Sequence, residues 1–314
     1  MVGTIYRHEI GEISEYRIGK SSLHFRVKRQ TMARILFFVA LLTAQAGTLP
    51  TRMIAVEGVQ MRVWTAGLEQ RKPDQPVIVL EAGSGAVLET WQPIFADVSR
   101  IGPVIAYDRR ALGQSGADTQ APTFTRTAHT LHAVLQALKV PPPYVLVGHS
   151  LGGVFIRGFA SLYPGEAAGM VYLDVPDFEA TRAERAAALP PEDRKAALAP
   201  PVLPEIPPGT PPGLVAVYQE LLNEMRDDYP SARNWKQPPG IPVAVVVTTR
   251  ADRLRGNGGA MVRLHIKHQS EWTLGSPNSL FVLAGHTGHQ VHRDDPALVV
   301  RLIDHVYERA AAPK

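Results

Sequence analysis

A strand-forming run that leads into a glycine-flanked serine constrains this chain more than any other stretch. The apolar residues 145–147 precede Gly148-His149-Ser150-Leu151-Gly152, and a helix-compatible segment follows at 154–162. A β-carbon at Gly148 or Gly152 would collide with a neighbouring strand or helix, which explains a glycine at each position. The G-x-S-x-G pattern in this context predicts a buried strand, a sharp turn and a helix. The hydroxyl of Ser150 is then raised above the edge of a sheet.

The chain is long enough to bury a large core, and its composition is that of a folded protein. Of its 314 residues, 45% are apolar and 20% are charged. These values predict one domain of about 270 residues with extensions, rather than a disordered chain. The sequence contains no cysteine, so disulfides, thiolate metal sites and a cysteine nucleophile are excluded.

The net charge of +4 comes from the N-terminal segment. Residues 1–46 contain seven Lys or Arg and three Glu, which leaves 26 of the 33 basic and 26 of the 29 acidic residues for the rest of the chain. A body with balanced charge offers no general attraction to a polyanion. We therefore expect no nucleic-acid partner.

The first 46 residues are predicted to lie outside the folded body. Residues 1–31 show no sustained apolar period, whereas Met32 to Ala46 combine one arginine, an apolar run at 35–42 and the small residues Ala44-Gln45-Ala46. This pattern is typical of a signal peptide cleaved after Ala46, and it predicts a periplasmic or secreted protein. The apolar run is too short for a stable membrane span. The alternative is a helix packed on the body of a cytoplasmic protein.

Strands and helices alternate through most of the remaining sequence. A hairpin is predicted at 53–65, and apolar strands follow at 77–80, 104–107, 145–147, 169–173, 242–248 and 279–283. Strands that are apolar throughout indicate an α/β fold with a mostly parallel sheet covered by helices on both faces. A proline-rich segment with two or three short helices interrupts this order, and we interpret it as a lid. The predicted organisation is an extension (1–46), a first core segment (47–175), the lid (176–239) and a second core segment (240–314).

Five motifs occur along the chain in the order expected for one protein family. They are Leu80–Gly85, Tyr107–Arg110, Gly113–Ser115, Gly148–Gly153, and His289 with Pro296 seven residues later. With these motifs, the body from about residue 52 to residue 310 resembles the α/β-hydrolase-fold serine hydrolases. Two positions depart from the common pattern: Glu81-Ala82-Gly83 stands where many members have His-Gly, and Ala111 stands where many have Gly. Neither departure removes a catalytic atom.

The resemblance implies a nucleophile and a general base. Ser150 is the expected nucleophile, and His289, on the loop after the last strand, is the expected base. His286 lies on the same loop and is the rival base. Together with His292 these histidines could indicate a metal, but no other feature of the sequence supports a metal site.

The carboxylate that orients the histidine must come from the carboxyl edge of the sheet. The resemblance favours Asp252, which follows the penultimate strand. Asp174 and Asp177 follow the preceding strand and remain alternatives, because some members of the family have their acid there.

The glycine-rich loop at Gly83-Ser84-Gly85 is the expected oxyanion hole, together with the first turn after Ser150. The resemblance places one backbone N–H donor at Leu151 and the other at Ser84. The same loop lacks the Lys-Ser/Thr of a P-loop and the third glycine of a dinucleotide fingerprint. No nucleotide or other cofactor is therefore expected.

The resemblance implies a cofactor-free hydrolase that cleaves a small carboxylic ester through an acyl-enzyme. A perhydrolase or non-haem haloperoxidase type and a lactonase are alternatives on the same fold. Epoxide hydrolases and haloalkane dehalogenases are disfavoured, because those relatives have aspartate where this chain has Ser150. A ligand-binding relative without turnover is the alternative from outside the enzymes.

Overall fold

The structure, a computed structural model, describes residues 51–120, 122–199, 205–227, 229–276 and 278–312. The predicted extension at 1–46, with its signal peptide at Met32–Ala46, lies outside these residues. Within the described ranges, no helix combines the length and the apolar character needed to cross a bilayer.

The described residues form one mostly parallel sheet of eight strands. The strands are β1 (Thr51–Val56), β2 (Val59–Ala66), β3 (Val77–Glu81), β4 (Val104–Tyr107), β5 (Tyr144–His149), β6 (Ala167–Leu173), β7 (Val243–Thr248) and β8 (Leu280–Ala284). Their order across the sheet is β1-β2-β4-β3-β5-β6-β7-β8. The pairs β1–β2 and β2–β4 are antiparallel, and all later pairs are parallel. The α/β architecture predicted from the apolar strands is confirmed.

Nine α-helices are described around this sheet. They are α1 (Gln92–Ile101), α2 (Phe124–Ala137), α3 (Leu151–Leu162), α4 (Arg182–Ala188), α5 (Pro191–Leu198), α6 (Pro212–Arg226), α7 (Asn257–Glu271), α8 (Val291–Asp294) and α9 (Pro296–Ala310). A 3-10 helix at Leu88–Trp91 precedes α1.

The central strands are buried on both faces, which explains their continuous apolar sequence. On β3, Val77 and Val79 belong to the core cluster that includes residues of α2 and α3. Ile78 and Leu80 are also fully buried, and because side chains alternate along a strand they face the other side of the sheet. Burial of this kind stabilises by about 25 cal/mol per Å² of apolar surface and fixes the register of the strands.

The insertion between β6 and β7 carries α4, α5 and α6. Helix α4 begins at a capping box in which Thr181 Oγ1 accepts from the Glu184 N–H at 3.0 Å, and Glu184 accepts from the Thr181 N–H at 2.8 Å. Helix α6 begins at two prolines, which suit the first turn of a helix. Tyr218 on α6 reaches the glycine-rich loop, since a β-carbon built on Gly85 would lie 3.3 Å from its hydroxyl oxygen. Helix α6 therefore lies beside the loop that follows β3.

Candidate active site

Ser150 lies at the turn between β5 and α3 in a backbone conformation that few residues other than glycine adopt. Its φ and ψ angles are 51° and −126°, and its N–H donates to the Leu173 carbonyl at 2.9 Å. A β-carbon on Gly148 would lie 2.6 Å from the Gly153 Cα, and one on Gly152 would overlap the Glu81 carbonyl oxygen. Strain of this kind costs about 1–3 kcal/mol and persists only where the surroundings enforce it.

Two backbone segments flank Ser150. The loop after β3 passes on one side, because a β-carbon on Gly83 would lie 3.1 Å from the Ser150 Cβ. Helix α3 begins with Leu151 on the other side, and the N–H groups of its first turn have no partners within the helix. The Ser84 hydroxyl is buried and has no hydrogen-bond partner within the described ranges.

His289 makes a hydrogen bond with Asp174 in this region. The distance from His289 Nδ1 to Asp174 Oδ2 is 2.7 Å. Because the acceptor is a carboxylate, Nδ1 carries the proton, and in a neutral imidazole the lone pair then lies on Nε2. The ring of His289 lies 4.8 Å from that of His149, the residue before Ser150. The imidazole therefore lies next to the strained turn.

Asp174 is a buried carboxylate that other groups satisfy completely. It lies at the end of β6 with a φ of 47°, and its side chain is 1% exposed. The N–H and Oγ1–H groups of Thr248 donate to it at 3.0 and 2.9 Å, and Arg253 donates at 2.8 Å. Burial favours the protonated form, but the hydrogen bonds from His289 and Thr248 and the charge of Arg253 outweigh it. They hold the pKa of Asp174 well below its usual range.

The expectation that Asp252 faces the histidine is wrong in this structure. Its carboxylate binds Arg250 through two 2.8 Å hydrogen bonds and is 53% exposed. The hydrogen bond from Arg250 lowers the pKa of Asp252 to about 2. Asp177, the third candidate, accepts from Nδ1 of His268 at 2.9 Å. Asp174 is therefore the acid that the structure brings to His289.

The three histidines of the last loop have three separate partners. His286 Nε2 lies 2.8 Å from Asp295 Oδ2 on the exposed surface, whereas His289 binds Asp174. His292 is fully buried, and its Nε2 lies 2.9 Å from the Thr90 hydroxyl. Burial is the main cause that lowers the pKa of His292 to about 3. Among the described residues, no cluster of three or more His, Asp or Glu side chains is arranged to hold a metal ion.

His149 connects the nucleophile turn to the histidine loop. Its Nε2–H donates to the His289 carbonyl oxygen at 2.8 Å, which fixes its tautomer because a carbonyl only accepts. Burial lowers the pKa of His149 to about 4, so its ring is neutral near pH 7. This hydrogen bond holds the backbone of His289 at the turn without adding a positive charge.

A buried ion pair holds the loop after β3. Arg109 Nη1 donates to Glu81 Oε1 at 2.7 Å and to the Ala82 carbonyl at 2.6 Å, and its Nη2 donates to the Gly83 carbonyl at 2.5 Å. The Tyr107 hydroxyl donates to the second oxygen of Glu81 at 2.5 Å. Burial raises the pKa of Glu81, although Arg109 and Tyr107 oppose this shift. A single guanidinium therefore fixes two consecutive carbonyls of the glycine-rich loop.

The local sequence around Arg109 does not indicate this role. The segment Asp108–Arg110 resembles a salt-bridged turn, and Asp108 and Arg110 do bind Arg62 and Asp118, at 2.6 and 2.7 Å. Arg109 instead faces the glycine-rich loop. Glu81 could have indicated this role, because a carboxylate at the end of a buried strand requires a charged or hydrogen-bonded partner.

A small cavity of about 70 Å³, open to solvent, lies beside Leu151. Phe124 of α2, Phe155 of α3 and Val217 of α6 contribute apolar side chains to it, and Glu220 of α6 contributes a carboxylate. The cavity therefore lies between the core and the insertion, next to the first residue of α3.

Residues 78–302 match the model of the Alpha/beta hydrolase family. The chain is 38% identical over 97 residues to the uncharacterized protein YqjL of Bacillus subtilis (strain 168), which covers 31% of this chain and 38% of that protein. It is 33% identical over 104 residues to the putative carbamate hydrolase RutD of Cronobacter turicensis, which covers 32% of this chain and 38% of that protein. These matches span less than half the length of either relative.

A solved structure of a probable hydrolytic enzyme from Pseudomonas aeruginosa PAO1 has a similar fold. The TM-score is 0.57 with 17% sequence identity, over 82% of this chain and 95% of that chain. At this level of identity the likeness is evidence for the fold alone.

Proposed function

Because the chain belongs to the alpha/beta hydrolase family, we propose that it is a serine hydrolase that cleaves carboxylic esters through an acyl-enzyme. The observation that carries this proposal is the 2.7 Å hydrogen bond between His289 and Asp174 beside the strained turn of Ser150. A serine hydroxyl needs a neighbouring base to attack a carbonyl near neutral pH. An imidazole oriented by a buried carboxylate is such a base.

In the proposed reaction, Ser150 Oγ attacks the carbonyl carbon of the ester, and Nε2 of His289 takes the hydroxyl proton. Asp174 stabilises the resulting imidazolium through the hydrogen bond at Nδ1. His289 then gives the proton to the departing alkoxide, which leaves as an alcohol. Water, activated by the same imidazole, hydrolyses the acyl-enzyme and restores Ser150.

The tetrahedral intermediate carries a negative oxygen that needs hydrogen-bond donors. We assign this role to the backbone N–H groups of Leu151 and Ser84, which lie on the two segments that flank Ser150. Each such donor typically lowers the barrier by about 3 kcal/mol. Arg109 supports this assignment, since it fixes the Ala82 and Gly83 carbonyls just before Ser84.

The apolar side chains Phe124, Phe155 and Val217 around the cavity beside Leu151 support a substrate with an apolar acyl or alcohol group. We propose that α6 acts as part of a lid, because Val217 lines this cavity and Tyr218 reaches the glycine-rich loop. A carbamate carbonyl could be attacked in the same way, so carbamates belong in the substrate panel beside esters.

Labelling with a fluorophosphonate tests the proposal, because this reagent modifies an activated serine. We expect wild-type protein to be labelled at Ser150 and to hydrolyse p-nitrophenyl esters. Ser150→Ala should lose labelling and should lower turnover by several orders of magnitude, on the order of 10⁶-fold. Ser99→Ala, on the surface of α1, is the matched control and should retain both. Label on another residue, or unchanged hydrolysis by Ser150→Ala, would contradict the proposal and favour a binding protein.

A further inference from the structure

Asp174 has a cationic partner, Arg253, in addition to the imidazole of His289. Arg253 Nη1 lies 2.8 Å from each oxygen of the Asp174 carboxylate. The Asp174 side chain is 1% exposed and that of Arg253 is 32% exposed. One buried negative charge is therefore shared between a permanent guanidinium and an imidazole.

Arg253 is held in this position by the end of β7. Its Nη1 also donates to the Thr248 carbonyl at 3.3 Å and contacts the Thr248 hydroxyl oxygen. The backbone N–H of Arg253 donates to the Arg250 carbonyl at 2.9 Å, which closes the turn after the strand. Thr248 in turn donates twice to Asp174. The arginine is thus part of a closed network around the carboxylate and differs from a solvated surface ion pair.

We propose that Arg253 is a positioning residue that controls the protonation of His289 through Asp174. This inference rests on the proposed function. A carboxylate that already faces a guanidinium stabilises an imidazolium less than a carboxylate with no other cationic partner. Arg253 therefore keeps the imidazole unprotonated, and able to act as a base, at lower pH. It acts on the base without contacting the substrate.

Other charged and titratable groups lie around the pair, but each has its own partner. The hydrogen-bonded pairs are His149 with the His289 carbonyl, His292 with Thr90, Asp294 with the Gly288 N–H, Arg250 with Asp252, and Asp177 with His268. His265, on α7, interacts electrostatically with Asp174, Asp177 and Arg253, and burial lowers its pKa. Arg253 differs from all of these groups because it shares the carboxylate that binds His289.

The test is the pH dependence of kcat/KM for p-nitrophenyl acetate, because its acid limb reports the base of the free enzyme. Removal of the arginine charge in Arg253→Met should move the acid limb to higher pH by about 0.5–1 unit. Partial exposure of Arg253 limits the size of this shift. Arg253→Gln keeps hydrogen-bond donors without the charge and should show the same shift. Arg253→Lys restores the charge and should return the limb toward the wild-type position.

Arg255→Met is the matched control, since it removes an exposed arginine two residues away. Its profile should coincide with that of the wild type. An unmoved acid limb in both Arg253→Met and Arg253→Gln, or a shift to lower pH, would overturn the inference. If one of the two neutral variants fails to fold, the pH profile of the other decides the question. If both fail to fold while Arg253→Lys folds, Arg253 acts on stability alone, and the inference is overturned.

Failure of this inference is distinct from failure of the proposed function. If Ser150→Ala is inactive and unlabelled while the pH profiles of the Arg253 variants superimpose on that of the wild type, only the role of Arg253 is refuted. The proposal of a serine hydrolase would still stand. Full activity in Ser150→Ala would remove both.

Discussion

Asp174 and His289 meet across the end of a strand that contributes neither of them. Asp174 follows β6 and His289 follows β8, while β7 lies between these strands in the sheet. A 2.7 Å hydrogen bond joins them, and Thr248, the last residue of β7, also donates to Asp174. Three adjacent strand ends thus meet at one carboxylate.

This arrangement predicts opposite outcomes for two matched substitutions. Asp174→Asn should lower kcat/KM for an ester by about 10⁴-fold, because without the carboxylate the imidazole can adopt the unproductive tautomer. Asp252→Asn should leave kcat/KM within about twofold, because its partner is the exposed Arg250. Steady-state kinetics on both variants, with circular dichroism to confirm folding, is the measurement. A severe loss in Asp252→Asn with an active Asp174→Asn would return the acid to the loop after β7.

The glycine-rich loop should depend on the fork geometry of Arg109 rather than on its charge alone. Arg109→Lys keeps a cation beside Glu81 but cannot hold the Ala82 and Gly83 carbonyls with two nitrogens. We expect kcat to fall by about tenfold with little change in KM, because a displaced oxyanion donor affects the transition state more than substrate binding. Arg100→Lys, in an exposed ion pair on α1, is the control. Equal kcat in the two variants would show that the loop keeps its shape without Arg109.

Helix α6 should determine the length of the acyl chains that can enter the cavity beside Leu151. Val217→Trp places a bulky ring in the cavity beside Leu151, so it should reduce hydrolysis of a p-nitrophenyl octanoate by about tenfold or more. Hydrolysis of the acetate ester should be nearly unchanged, because its short acyl group needs little of the cavity. Gln219→Trp adds the same ring at an exposed position of the same helix and should not change the ratio of the two rates. The same ratio in both tryptophan variants would place the acyl group elsewhere.

The depressed pKa of Asp174 should make the folded state sensitive to acid. The folded protein binds this proton less tightly than the unfolded chain does, so protonation favours unfolding. The stabilisation is present above the unfolded carboxyl pKa of about 3.9 and is lost as pH falls below it. Urea midpoints at pH 7, 5, 4 and 3 should therefore fall more steeply for the wild type than for Asp174→Asn. Asp304→Asn, on the exposed surface of α9, should follow the wild-type curve; parallel curves for all three proteins would contradict the argument.

The sequence predicts the local parts of the structure well. The glycines around Ser150 satisfy a steric requirement that acts within a few residues, and the buried strands appear as uninterrupted apolar runs such as 243–247. The alternation of these runs with helical patterns is enough to predict the mostly parallel sheet. The position of His289 on the loop after β8 follows from the order of the elements.

The identity of the acid depends on contacts that the sequence does not show. Asp174 and Asp252 both follow strongly apolar strands, so position along the chain does not separate them. What separates them is the pairing of Asp252 with Arg250 and the φ of 47° that turns Asp174 into the site. Arg109 likewise lies 26 residues from Gly83 in sequence, and Arg253 lies 79 residues from Asp174. No local pattern predicts contacts of that range.

Under the proposed mechanism, the position of His289 after the final strand also affects when activity can begin during synthesis. Ser150, the glycine-rich loop and Asp174 all emerge from the ribosome before β7 and β8 exist. The base becomes available only once β8 has paired with β7 along Ala244–Thr248. A nascent chain can thus bury the nucleophile strand early and still be unable to attack esters in its surroundings. In the proposed mechanism, hydrolysis begins only when the last edge of the sheet has been added.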